Sequence, residues 1–164
     1  MIALHILDVK DFMAKLLIQT VFDNFLLTEM EINTFTKFQI QGRINKSYFS
    51  SDEIELLQDR SLVKWNEVRG IAFQIMKGNK TPSSFHIVLQ LSPENVEKLT
   101  SSTGVPLKAV DITGLYMHLK YDNNKLTMIT GTGVKIFTMD KTLDKEWDDM
   151  AKKFLKHHGI VFEE

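Results

Sequence analysis

The sequence contains no cysteine. That single absence removes disulfides, thiolate metal sites, iron–sulfur clusters and cysteine nucleophiles together, and it fits a reducing cytoplasm. Long apolar runs are missing as well: the longest are a few residues, far short of the roughly 20 that a bilayer-spanning helix needs. The opening MIALHILDVKDF has no basic segment, no extended apolar stretch and no small-residue cleavage site, so no secretory signal is expected. Neither charge is in excess. Twenty basic side chains against 21 acidic ones leave a formal net charge of −1, whereas phosphate-neutralising proteins usually carry a basic excess or stripe. There is no G-x-S-x-G elbow and no dinucleotide fingerprint. His-x-x-x-His and Glu-x-x-His spacings, which would suggest a metal site, are also absent.

What remains is the composition of a globular protein. Of 164 residues, 43% are hydrophobic and 25% charged, which suits one domain over residues 1–164. A chain of this size buries roughly 70% of its unfolded surface, so its core needs no metal or disulfide. No cofactor is expected.

The elements alternate along the chain. Ala3 to Leu7 suits a short strand. Asp8 caps a helix to about residue 19, with Val9, Phe12, Met13, Leu16 and Leu17 at helical spacing. Phe25 to Thr34 and Thr36 to Asn45 alternate with period two, as half-buried antiparallel strands do. In the first of these, Leu26, Thr28, Met30 and Ile32 take one face, and Leu27, Glu29, Glu31 and Asn33 the other. Ser50-Ser51-Asp52-Glu53 is a capping box for a short helix to about Gln58. Residues 64–77 fit either a helix or a strand, and the helix is preferred. Phe85, Ile87, Leu89 and Leu91 mark a strand, and Ser92-Pro93-Glu94 opens a helix to about Ser101. Strands are expected at Gly114 to Tyr121, Lys125 to Thr130 and Val134 to Met139, with turns at Asp122-Asn123-Asn124 and Gly131-Thr132-Gly133. A long helix from about Thr142 to His158 closes the chain, carrying Trp147 and Phe154 on its apolar stripe and Gly159 beyond its end. Eight methionines are available to fill core or line an adaptable groove, and Met13, Met76 and Met150 fall on the predicted buried stripes.

The fold class is therefore α+β: antiparallel sheet with a polar outer face and helices packed on the other. Strand, capped helix, strand, strand occurs in both halves, 1–83 and 84–164, and KFQIQG at 37–42 echoes KLTMITG at 125–131. The run FQIMKG, TP, SF and IVLQLSPENVEKL, with the opening ALHILDVKDFMAKLL, resembles a bacterial family labelled only as a domain of unknown function. That resemblance implies no activity, substrate or catalytic residue. At fold level alone, the doubled unit is similar to one domain of the sliding DNA clamps. Clamp helices are basic toward DNA, however, and the 92–101 helix carries Glu94 and Glu97 against Lys98.

Three groups of residues invite a functional reading. MKGNKTPSS, residues 76–84, gathers Gly78, Lys80 and Thr81, but a phosphate loop needs G-x-x-x-x-G-K-[ST] after a strand and before a helix. Here the order differs and a strand follows, so the loop is read as a helix stop or a hairpin connection. His86 and His118 fall on the polar phase of their strands, with Tyr116 beside one of them. They could meet on one sheet face to bind a metal or move protons, although a solvated sheet face is the preferred reading. Glu29 and Glu31 share a strand face, and paired carboxylates do acid–base chemistry when burial shifts one of them. The sequence favours a non-enzymatic cytoplasmic binding or scaffold protein with protein partners and no membrane contact. The alternatives are a clamp-like nucleic-acid accessory protein, which the charge does not support, and a hydrolase with an unrecognised site.

Overall fold

A computed structural model describes residues 1–164. Seven strands form one antiparallel sheet: β1 (Ala3–Ile6), β2 (Leu26–Asn33), β3 (Lys37–Gln41), β4 (Ser84–Gln90), β5 (Ile112–Asp122), β6 (Lys125–Val134) and β7 (Phe162–Glu163). Their order across the sheet is β3-β2-β4-β5-β6-β1-β7. Five α-helices join them: α1 (Val9–Leu17), α2 (Ser51–Leu56), α3 (Trp65–Met76), α4 (Pro93–Ser102) and α5 (Thr142–His157). No helix is long and apolar enough to cross a membrane.

The helix starts follow from side-chain caps that satisfy otherwise unpaired backbone N–H groups. The Asp11 amide donates to the Asp8 carboxylate at 3.0 Å, the Ser50–Glu53 capping box is complete, and Ser92 accepts from Asn95 with Pro93 in the first turn. Helix α5 ends where Gly159 takes φ +68°, a left-handed conformation that costs glycine little. Residues 65–76 are helical, burying Trp65, Val68, Ala72 and Met76 at helical spacing.

One apolar cluster joins the inward residues of the strands to α1, α3, α4 and α5. Helix α2 buries nothing. The strand–helix–strand–strand order occurs twice, as β1-α1-β2-β3 and β4-α4-β5-β6, but the two runs occupy the sheet differently. β4 and β5 are antiparallel neighbours. β1 and β2 are separated by β4, β5 and β6, so α1 carries the chain across the sheet.

Two sequence expectations are corrected. Gly131-Thr132-Gly133 is not a turn, and Val134 to Met139 is not a separate strand: β6 runs unbroken to Val134 and pairs with β5 up to Ile112. Gly133 is there for close packing, described below. In β2 a bulge between Leu27 and Glu29 shifts the alternation by one residue. Leu27 is therefore buried with Met30 and Ile32 instead of lying with Glu29 and Glu31.

Helix α5 is fixed to the sheet by more than its apolar stripe. The Thr130 and Thr132 hydroxyls of β6 donate to Asp148 and Asp144, and the Trp147 indole N–H donates to the Tyr116 carbonyl at 3.0 Å. Trp147 is almost wholly buried, so Trp147→Ala should destabilise the fold by about 3–5 kcal/mol. Phe154, half-buried and edge-on to Phe22 and Phe25 at 5.3 Å each, should cost less when truncated. Chemical denaturation of both variants checks this, and a loss below about 1 kcal/mol for Trp147→Ala would contradict the packing.

Candidate functional site on the open sheet face

The sheet buries one face beneath the helices and leaves the other uncovered. Register dictates what that open face shows. One cross-strand row reads Gln39, Glu31, His86, Lys120, Thr127, His5. The next reads Gln41, Glu29, Val88, His118, Ile129, Ala3. Val88 is only 3% exposed although it lies on this face, so its polar neighbours fold over it.

His86 pairs across strands with Lys120 and His118 with Val88, which makes the two imidazoles diagonal neighbours. His86 Nε2 and His118 Nδ1 are 3.1 Å apart, with the rings near-parallel at 5.3 Å between centroids. One nitrogen donates and the other accepts, so the pair holds one shared proton in its neutral form. Burial is the main cause that lowers the pKa of both. Lys120 adds to the effect on His86, and His86 and Lys120 add to it on His118, against the opposing pull of Glu29.

Tyr116 completes the centre, its ring 6.4 Å from that of His118. Its position accounts for Gly114 and, together with Thr113, for Gly133. A Cβ on Gly114 would sit 2.4 Å from the Tyr116 ring, and one on Gly133 would sit 2.4 Å from the Thr113 hydroxyl and 3.4 Å from the ring. The ring lies flat on a floor that only glycine provides.

The sequence-expected trio of His86, His118 and Tyr116 is thus brought together. Glu31 also lies on this face, but Lys37 binds it at 2.6 Å, and hydrogen bonding from Lys37 lowers its pKa. No group of three or more His, Asp or Glu side chains is arranged to hold a metal ion. Glu29, singled out from sequence together with Glu31, and Lys120, on the polar phase of β5, stand on either side of the imidazole pair without an ion-pair partner. Strand alternation places both on this face, and what it could not show is their position beside the imidazole pair, which the cross-strand register sets.

The Gly-Lys-Thr loop lies elsewhere. α3 ends at Met76 with Lys77 at its cap, and the loop runs from there into β4, so it sits at the electronegative end of a helix. The basic residues disperse. Arg43 and Lys46 border one hollow and Lys77 and Lys80 another, while Arg69 is bound to Asp23 at 2.8 Å.

Fold and face together define an α+β protein with a one-sided sheet and an imidazole–phenol centre. The chain belongs to DUF5721, a family of unknown function whose model matches residues 15–163. No curated protein and no solved structure matches it.

The histidine pair sets a pH dependence. Both folded-state pKa values lie below the unfolded value of about 6.5, so the unfolded chain binds more protons in this window. The stability involved is present above about pH 6.5 and is lost as the pH falls through the depressed folded values. The urea midpoint should therefore drop between about pH 7.5 and 5.5, with a shallower slope in an H86Q/H118Q variant. An unchanged slope would sink the assignment.

For the loop, Lys80→Ala should leave stability nearly unchanged, because an exposed lysine contributes little. Calorimetric titration of the unaltered protein with ATP, GTP and phosphate should show no saturable heat. Micromolar nucleotide affinity that disappears in the Lys80 variant would contradict this.

Proposed function

We propose that this chain is a non-enzymatic protein-binding module that docks a partner on its open sheet face. The observation that carries the reading is the composition of that face. An aromatic and imidazole centre of Tyr116, His118 and His86 is ringed by glutamine, glutamate, threonine and lysine. Docking surfaces have the same anatomy, with a central aromatic patch and a polar rim. The uncompensated Glu29 and Lys120 specify the partner's chemistry: a cation opposite the first, a carboxylate opposite the second, and an apolar or aromatic group over Tyr116.

Carboxylate electrostatics favour binding over acid–base catalysis. Glu31, Glu53, Glu67 and Asp140 are the carboxylates with displaced pKa values, and all four are displaced downward by hydrogen bonds. A general acid working near neutrality requires the opposite. A cysteine-free chain suits the reducing cytoplasm as the place where this binding occurs.

The test places the photocrosslinker p-benzoylphenylalanine at position 116, or at position 153 on the outer side of α5, in the producing cell. A discrete protein adduct should form from position 116 and not from 153. A Glu29→Lys/Lys120→Glu variant should reduce its yield about tenfold or more, since like-charge juxtaposition costs several kcal/mol. Identical adducts from both positions, or indifference to the charge reversal, would refute docking on this face.

A further inference from the structure

The helical side of the sheet is incompletely closed. A cleft of about 390 Å³ opens between α4, α5 and the segment that follows α1. Leu91, Met117 and Trp147, all buried, line it together with the more peripheral Met150 and Phe154. Cavities of roughly 300–1,000 Å³ are the usual size for small-molecule sites.

The chemistry of the lining is selective. Its polar groups come from Thr20, Asn24, Asn95 and His158. No aspartate, glutamate, lysine or arginine lines it, in a chain of which a quarter of the residues are charged. His158 is pushed toward its neutral form, first by burial and then by His157 and Lys15. Its ring lies 4.6 Å from that of Phe154, which meets Phe25 edge-on, so the wall presents ring faces and edges to whatever enters.

The adjoining hollow shows how unusual this is. It shares only Met150 with the cleft and is bordered by Lys98, Glu146, Asp149 and Lys153. The groove between α4 and α5 therefore has a charged half and an uncharged half that meet at one methionine, a side chain whose flexibility lets it fit varied shapes. An ionic ligand would lose its hydration in the uncharged half without gaining a counter-charge. The two side-chain amides and the threonine hydroxyl both donate and accept hydrogen bonds.

We infer that this cleft is a binding site for a small uncharged molecule with a planar apolar body and a hydrogen-bonding edge. The body lies against Met150 and Phe154, above the buried Trp147 and Met117, and the edge faces Asn24 and Asn95. This site is independent of the open face, which lies on the other side of the sheet.

The test uses the full chain with ¹³C-methyl methionine, titrated with indole and benzyl alcohol as neutral probes and with benzoate and benzylammonium as charged ones. Neutral probes should produce saturable shifts at the Met117 and Met150 methyls. The charged probes should bind at least about tenfold more weakly, because nothing offsets their desolvation. Val21→Trp, which fills the mouth from a half-buried position, should abolish the shifts while the other methionine signals report an intact fold. Equal affinity for charged and neutral probes would overturn the inference. So would absence of saturable shifts, or shifts at both methyls on simple dilution of the protein, which would mean that a second copy fills the cleft.

Discussion

The C-terminal end of α1 is the joint on which the rest of the structure depends. This helix must carry the chain over three strands before β2 can begin, and its last carbonyls have no partners within the helix. Helix α3 supplies them. The Trp65 indole N–H donates to the Leu16 carbonyl at 2.8 Å, and the Arg69 guanidinium donates to the carbonyls of Leu17 and Ile18 at 3.3 and 3.2 Å. Arg69 also reaches Asp23 in the following turn, fixing the direction in which the chain leaves α1. The Trp65–Leu16 bond is buried, so losing its donor leaves the Leu16 carbonyl unsatisfied, at a cost of about 1–3 kcal/mol.

Once α1 is fixed there, the division of the sheet follows. The crossover, α3, α4 and α5 all lie on the face that carries Leu4, Ile87, Leu89 and Met128, and nothing in the chain is left to cover the other. That face had to be polar enough to stand in water, and its rows of Gln, Glu, His, Lys and Thr meet the requirement. The half-buried imidazoles at its centre exceed it, since solvation alone would be met by any polar side chain at positions 86 and 118.

The sequence disclosed most where physics is local. Caps at Asp8, Ser50 and Ser92 and the stripe containing Trp147 are decided within a few residues, and all appear where sequence placed them. It misled where the reason lies on another strand. Gly133 looks like a turn residue until Thr113 and the Tyr116 ring on β5 are seen to occupy the space that its side chain would fill, whereas Gly131 has room for a Cβ and simply continues β6. The bulge in β2 is likewise a property of its pairing with β4. Strand phase correctly put His86 and His118 on a polar face, but their hydrogen bond depends on a diagonal register that no single strand encodes. The cleft could not be read at all: its walls come from α4, α5 and the segment after α1, which are far apart in sequence.

The open face and the cleft share one strand. On β5 the Tyr116 side chain stands on the open face, Met117 beneath it lines the cleft, and Trp147 grips the Tyr116 carbonyl from the helical side. Proximity of this kind is not coupling, which needs an element with two discrete arrangements that both sites bias. β5 offers only one. It is paired with β6 in one register from Gly114 to Asp122 and with β4 from Ser84 to Gln90, and a one-residue slip would send Tyr116 into the core and Met117 into water. The strand therefore stands as a partition, with Tyr116 on the open face and Met117 on the side of the cleft.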